Sequence, residues 1–87
     1  MNHDKFDFRA ADQLIQAVEM AAAQIDVKND QMKIRFSRLH EYFKDEGYDQ
    51  LSVDMNAANK SIDEIIRQLH DIAKHISNYK QQIQNEA

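Results

Sequence analysis

Residues 43 to 48 read Phe43-Lys44-Asp45-Glu46-Gly47-Tyr48, and they decide the fold because they interrupt two long runs of apolar residues at helical spacing. Gly47 is the single glycine of the 87 residues, and the chain has no proline. Glycine readily adopts the left-handed conformation that ends many helices, and acidic residues suit turns and helix caps. The stretch therefore predicts a short turn, residues 44–47, between two antiparallel helices.

Before the turn, apolar residues recur at alternating steps of four and three. This period of 3.5 suits a helix that packs along a nearly parallel neighbour, whereas a strand would need a period of two. The pattern predicts a first helix over about residues 8–43, with Asp7 favoured over Asp4 as its N-cap. We call this row the first seam: Ala11, Ile15, Val18, Ala22, Ile25, Asn29, Met32, Phe36, Leu39 and Phe43.

Asn29 is the polar member of the first seam, and two interpretations of it remain open. A buried amide can fix the register or the pairing of packed helices. Alternatively, Asn29 and the acidic residues at positions 26 and 30 mark a point where the helix bends or loosens.

After the turn, the same alternation continues for five heptads and predicts a second helix over about residues 48–83. We call its row the second seam: Tyr48, Leu51, Met55, Ala58, Ile62, Ile65, Leu69, Ile72, Ile76, Tyr79 and Ile83. The two seams form the predicted hairpin core of a single all-α domain, residues 1–87. Phe43 and Tyr48 are expected to pack on each other around the turn.

A second set of apolar residues lies outside both seams. Met20, Val27 and Ile34 are seven residues apart on the side of the first helix opposite its seam, with Ala23 beside them. Ile66 and Ala73 widen the stripe of the second helix on one side. Three exposed apolar residues in line suggest a contact with another subunit, so these five and Ala23 form the predicted interface.

The length of the chain also favours association. A domain of 87 residues buries only about 60% or slightly more of its unfolded surface, and without cysteine no disulfide can add stability. Two hairpins packed as a four-helix bundle would cover the exposed flanks of both seams. The expected partner is a second copy or a related helical hairpin.

No residue pattern predicts catalysis, and the expectation is a non-enzymatic protein without cofactor. His70 and His75 are five residues apart, whereas helical zinc pairs prefer a spacing of four. The serines lack a paired histidine and acid, and one glycine cannot build a phosphate loop. The net charge of −4, with both signs interspersed, argues against nucleic-acid binding.

The sequence also bears on location. No run of eighteen apolar residues occurs, so direct membrane insertion is not expected. Residues 1–6 lack a basic segment followed by an apolar core, so no ordinary signal peptide is expected. A cytoplasmic protein is expected, and any export would follow a leaderless route.

The turn and the two long helices together resemble the WXG family, the small ESAT-like proteins of the type VII secretion system. The resemblance covers residues 8–83 and rests on pattern. Phe43 stands at the aromatic place of the Trp-X-Gly turn, and Gly47 follows four residues later instead of two. Phe43, Asp45, Tyr48 and Leu51 fit the divergent relatives, in which an aromatic is followed by Asp and then by Tyr and an apolar residue.

This resemblance implies a secreted factor, or a targeting partner or chaperone for a larger effector, that acts through helix packing. Many family members carry a Tyr followed four residues later by Asp or Glu near the C-terminus as an export signal. Here Tyr79 is followed by Ile83, so the signal is missing at that place. Two rival interpretations are a coiled-coil adaptor unrelated to secretion and a needle-type secretion subunit, whose turn usually contains proline.

Overall fold

A computed structural model describes residues 6–43 and 45–86 of the chain, and these form two helices. The first, α1, spans Phe8–His40, and the second, α2, spans Glu46–Glu86. Contacts between the start of α1 and the end of α2, such as that of Asp12 with Lys80, show that the helices run antiparallel. The predicted all-α helical hairpin is therefore confirmed.

The ends of α1 follow from local hydrogen bonds. Asp7 is extended at φ −97° and ψ 101°, and its Oδ1 accepts a hydrogen bond of 3.0 Å from the amide of Ala10. This confirms Asp7 as the N-cap. At the other end, the amides of Glu41 and Tyr42 donate to the carbonyls of Arg38 and Leu39 at 3.1 and 3.0 Å. These bonds span three residues instead of the four of an α-helix, and α1 ends at His40, three residues before the predicted boundary.

The turn differs from the prediction in the role of its glycine. Asp45 is the cap of α2, since its Oδ1 accepts a hydrogen bond of 3.0 Å from the amide of Tyr48. Gly47 lies inside the first turn of α2 and does not have a positive φ. The left-handed conformation predicted for Gly47 is therefore wrong, because the Asp45 cap starts α2 two residues earlier than expected. Lys44 lies outside the described residues.

The aromatic contacts at the turn also differ from the prediction. Tyr48 stacks on Phe36 with ring centroids 5.1 Å apart and planes 14° apart, and the His40 ring lies 4.5 Å from it. Phe43 instead stays 54% exposed. Since α1 ends at His40, Phe43 lies beyond the helix, and the stacking partner of Tyr48 comes from one turn further inside α1.

The first seam faces α2 along α1. Ala11, Ala22 and Asn29 are buried, the seam residues from Ile15 to Leu39 are otherwise half-buried, and Phe43 alone is exposed. Six members of the second seam at seven-residue spacing likewise face α1: Tyr48, Met55, Ile62, Leu69, Ile76 and Ile83.

The other five members of the second seam are wrongly assigned to the hairpin core. Leu51, Ala58, Ile65, Ile72 and Tyr79 are exposed. Their place facing α1 is taken by the row one residue later, Ser52, Asn59, Ile66, Ala73 and Lys80. Ala73 is 3% exposed and Ala22 is 1% exposed, so small side chains let the helices approach closely.

The hairpin is long and thin. It measures 63 × 17 × 15 Å with a radius of gyration of 19.6 Å, against about 12 Å for a compact domain of this length. Four hydrophobic residues are buried, and none of the larger side chains described is fully buried. Two helices alone thus leave nearly all of their large apolar side chains partly exposed.

Candidate functional site: an apolar docking face

The hairpin has two broad sides, and one of them carries the polar contacts between the helices. Lys80 Nζ lies 2.6 Å from Asp12 Oδ1, and His70 Nδ1 lies 2.9 Å from Glu19 Oε2. Further along, Asn29 Nδ2 donates to Asp63 Oδ1 at 3.5 Å. We call this side the polar face.

The opposite side carries the five exposed members of the second seam. The positions of α2 that pack on α1 include residues 62 and 69 in one row and residues 66 and 73 in another. Residues 63 and 70 each come one position after the first row, and residues 65 and 72 each come one position before the second. The two sets therefore lie on opposite flanks of α2. Exposed fractions are 41% for Leu51, 47% for Ile65, 46% for Ile72 and 40% for Tyr79. We call Leu51, Ala58, Ile65, Ile72 and Tyr79 the α2 stripe, and this side the apolar face.

A groove between the helices continues the apolar face at mid-length. Its volume is about 570 Å³, and it opens beside the α2 stripe because α1 residues from that flank line it. The lining residues are Gln24, Ile25, Lys28, Asn29, Met32 and Ile62. A second groove of about 240 Å³ lies at the turn, where Leu39, Phe43 and Leu51 contribute apolar side chains.

Two amide side chains at mid-length are incompletely bonded. Asn29 is 2% exposed, and its Oδ1 has no hydrogen-bond partner; Asn59 Oδ1 is also buried without one. An unpaired buried polar atom costs about 1–3 kcal/mol. Asn29 lies within a continuous α1, which argues against a helix break there. Its contact with Asp63 agrees with a role in register, and that role stays a hypothesis.

The accessible surface of the hairpin is larger than that of a compact monomer of the same mass. The accessible surface is 6942 Å² for 10.2 kDa, whereas a compact monomer of that mass exposes about 5,300 Å². The excess of about 1,600 Å² is twice the roughly 800 Å² that each partner buries in a standard protein interface. The hairpin therefore exposes more surface than a compact monomer of its mass.

The predicted interface divides into two sets in the structure. Met20, Val27 and Ile34 are exposed by 62%, 55% and 55%, on the outer edge of α1 with exposed Ala23. Ile66 is half-buried and Ala73 is 3% exposed, so Ala73 has little surface left for a partner, whereas the assignment of Ile66 to an interface stays a prediction. They lie in the row that α2 uses to pack within the hairpin, and the α2 stripe takes the exposed position.

Two searches of the described residues concern metal ions and membrane-spanning helices. Residues 6–43 and 45–86 contain no group of three or more His, Asp or Glu side chains placed to hold a metal ion. Within the same ranges, neither helix has an apolar span long enough to cross a membrane. The His70 and His75 side chains are both exposed, and His70 contacts Glu19.

Comparisons with protein-family models, curated proteins and solved structures found no match to the chain. The features that bear on function are therefore the apolar face, the polar face opposite it and the exposed edge of α1.

Proposed function

We propose that the protein is a non-enzymatic, WXG-like helical hairpin that works in type VII secretion by packing against other helices. It acts there as a secreted factor, or as a targeting partner or chaperone for a larger effector. The observation that carries this proposal is the apolar face, which runs from Leu51 to Tyr79 on a hairpin too thin to bury its own core.

The geometry of the face supports helix packing as the mode of action. The α2 stripe repeats every seven residues over 28 residues, which corresponds to about 42 Å of helix. A helix laid along the groove beside it would remove apolar side chains from water, at about 25 cal/mol per Å² of apolar surface buried. The resulting architecture is a four-helix bundle when the incoming unit is itself a hairpin.

The link to secretion is supported by the residues of the turn and by the hairpin architecture. Asp45 caps α2, and Tyr48 and Leu51 open it, in the order that the divergent WXG relatives show. Export alone is less well supported, because Ile83 stands where the family's acidic signal residue would be and is 4% exposed. We therefore favour a chain that travels with, or escorts, a partner.

A coiled-coil adaptor unrelated to secretion is the second candidate. The buried Ile83 favours it, since an apolar residue that packs within the hairpin leaves no acidic export signal at that place.

Co-purification from the source organism tests the proposal. A tagged chain should retain a helical partner encoded beside a membrane-bound secretion ATPase, and the complex should disappear from culture supernatant when that ATPase is deleted. The matched control is the Ile65→Asp variant, which should lose the partner while circular dichroism still shows two helices. A partner set that is unrelated to secretion and unaffected by the ATPase would support the adaptor instead.

A further inference from the structure

The groove at mid-length combines apolar walls, an unpaired hydrogen-bond acceptor and a cation. Its walls include the apolar side chains of Ile25, Met32 and Ile62. Its volume of about 570 Å³ lies within the range of about 300–1,000 Å³ that ligand pockets span. Asn29 and Lys28 line it as well, and the buried Oδ1 of Asn29 has no hydrogen-bond partner. These features restrict the chemistry of the side chain that can fill the groove.

The unpaired oxygen of Asn29 is directed to the side of the hairpin on which the groove opens. Asn29 Nδ2 points to Asp63 Oδ1 on the polar face, 3.5 Å away, and the oxygen of a side-chain amide diverges from its nitrogen. The reverse orientation would set two acceptor oxygens against each other, since an ionised carboxylate only accepts hydrogen bonds. Oδ1 is closed to water, so a donor reaches it after a wall side chain turns aside, and Met32 is flexible enough to do so.

Lys28 gives the groove a cation without a counter-charge. Its side chain is exposed at the groove wall and forms no ion pair within residues 6–43 and 45–86. Positions 24, 25, 31 and 32, which lie one helical turn away, hold no acidic residue either. A cation beside an apolar wall attracts the face of an aromatic ring, and the sulfur of Met32 makes favourable contacts with such a ring.

We infer that this groove binds the indole ring of a tryptophan presented by a helix of a partner protein. Tryptophan joins a large apolar ring to a nitrogen that only donates, so its N–H pairs with Asn29 Oδ1 and no polar atom of the ring stays unpaired. A tyrosine hydroxyl would instead bury its own lone pairs against apolar walls. The inference rests on the proposed function, since it names the side chain by which a partner helix docks.

The composition of the chain restricts the source of the ring. The 87 residues include no tryptophan, so a second copy cannot supply it, and the partner that uses the groove is a different protein. Tryptophan in a pocket is typical of the few residues that carry most of the binding energy of an interface. The groove opens beside the α2 stripe, so the same partner helix covers apolar side chains of the stripe.

Two other grooves lack this combination. Asn59 Oδ1 is also buried and unpaired, but the groove of about 420 Å³ beside it is lined by polar residues, among them Lys33 and Lys60, which suit water better than a ring. The groove at the turn is smaller, about 240 Å³, and neither of the unpaired oxygens lies in it. In the described part of the chain, an unpaired buried acceptor therefore meets apolar walls at Asn29.

Fluorescence of a synthetic helix tests the inference, because the chain has no tryptophan and all indole emission comes from the peptide. The probe is a peptide of about 20 residues, or about 30 Å of helix, with leucines seven residues apart on one face and one tryptophan at the centre of that face. Its emission should shift to shorter wavelength when the full chain is added. Matched peptides carry 1-methyltryptophan, which lacks the N–H donor, tyrosine or leucine at that place, and are measured by competition.

The tryptophan peptide should bind about fivefold more tightly than the 1-methyltryptophan peptide, the loss expected for one hydrogen bond. With Asn29→Leu the two peptides should bind equally, because the acceptor is gone. Lys28→Gln should weaken both by about two- to fivefold through the lost contact between cation and ring. The matched control Lys33→Gln, at the groove of the polar face, should change neither. Circular dichroism checks that each variant keeps its helices.

The outcomes separate this inference from the proposed function. No binding of the tryptophan peptide, binding no tighter than that of the leucine or tyrosine peptide, or an N–H preference that persists in Asn29→Leu would overturn the inference. Co-purification would then still decide the proposed function. N-acetyltryptophanamide that binds as tightly as the peptide would overturn the helical source of the ring. A tryptophan preference that depends on Asn29, in a chain whose natural partners have no link to secretion, would support the inference and remove the proposed function.

Discussion

The polar and apolar faces of the hairpin are built from the same two helices, yet they differ in how their side chains are satisfied. On the polar face, Asp12, Glu19 and Asp63 each find a partner on the facing helix. On the apolar face, Leu51, Ile65 and Ile72 remain more than 40% exposed. Solvated ion pairs need no further cover, whereas an aligned apolar stripe gains free energy when it is covered. Association is therefore expected on one face only.

The largest expected difference is between a variant in the α2 stripe and a variant on the outer edge of α1. Ile65→Asp and Val27→Asp both place a carboxylate at an apolar position exposed by about half, 47% and 55%. Ile65→Asp should weaken self-association at least 100-fold, about 2.7 kcal/mol, because a charge would be buried. Val27→Asp should change it less than threefold. Sedimentation equilibrium measures both, and the reverse order would move the interface to Met20, Val27 and Ile34.

A second pair of variants separates the interior of the hairpin from its outer surface. Ala73→Leu should lower the free energy of unfolding by about 1–3 kcal/mol, because the added atoms have no space between closely packed helices. Ala57→Leu, on an exposed position of the same helix, should change it by less than about 0.5 kcal/mol. Urea denaturation provides both values. Equal effects would mean that the row containing Ala73 does not face α1.

The burial pattern of α2 shows which parts of the fold the sequence predicts and which it does not. The 3.5 period fixed both helices, and six of the eleven members of the second seam face α1. The period could not choose between two adjacent rows of α2, since both carry isoleucine and alanine. The observed row includes Ser52, Asn59 and Lys80, which polarity rules assign to the surface.

A signal for the correct row was nevertheless present in the charges. Asp12 and Glu19 flank the first seam on one side, and Asp63 and His70 flank α2 at the same spacing of seven. Of these four residues, Glu19 and His70 pair across the helices, and this one contact agrees with the observed row of α2 and with the exposure of the α2 stripe. The φ of Gly47 was harder to predict from the sequence, because the early start of α2 depends on the hydrogen bond of the Asp45 side chain.

An intermediate effect is expected at the centre, where the two faces meet. Asn29→Leu removes a buried amide whose Oδ1 has no partner. The free energy of unfolding should rise by about 1 kcal/mol, since an unsatisfied polar group disappears while Asp63 stays exposed to water. Thermal unfolding measures this change. An unchanged or lower free energy of unfolding would mean that Asn29 Oδ1 is hydrogen-bonded in solution.

The smallest effect belongs to the polar face. Glu19→Gln removes the charge partner of His70, and both side chains are about half exposed, 45% and 54%. Exposed ion pairs contribute about 0.2–1 kcal/mol and weaken with salt. The free energy of unfolding should therefore fall by less than about 1 kcal/mol, and the dimer should persist. A loss of association in this variant would contradict the division between the two faces.

Light scattering of the purified chain at micromolar concentration tests the central claim most directly. The proposal expects the apolar face to be covered by association. If a second copy covers it, the measured mass should be twice 10.2 kDa, and Ile65→Asp should reduce it to the mass of one chain. A stable, fully helical monomer of the unmodified chain at this concentration would contradict the claim that a second copy covers the apolar face.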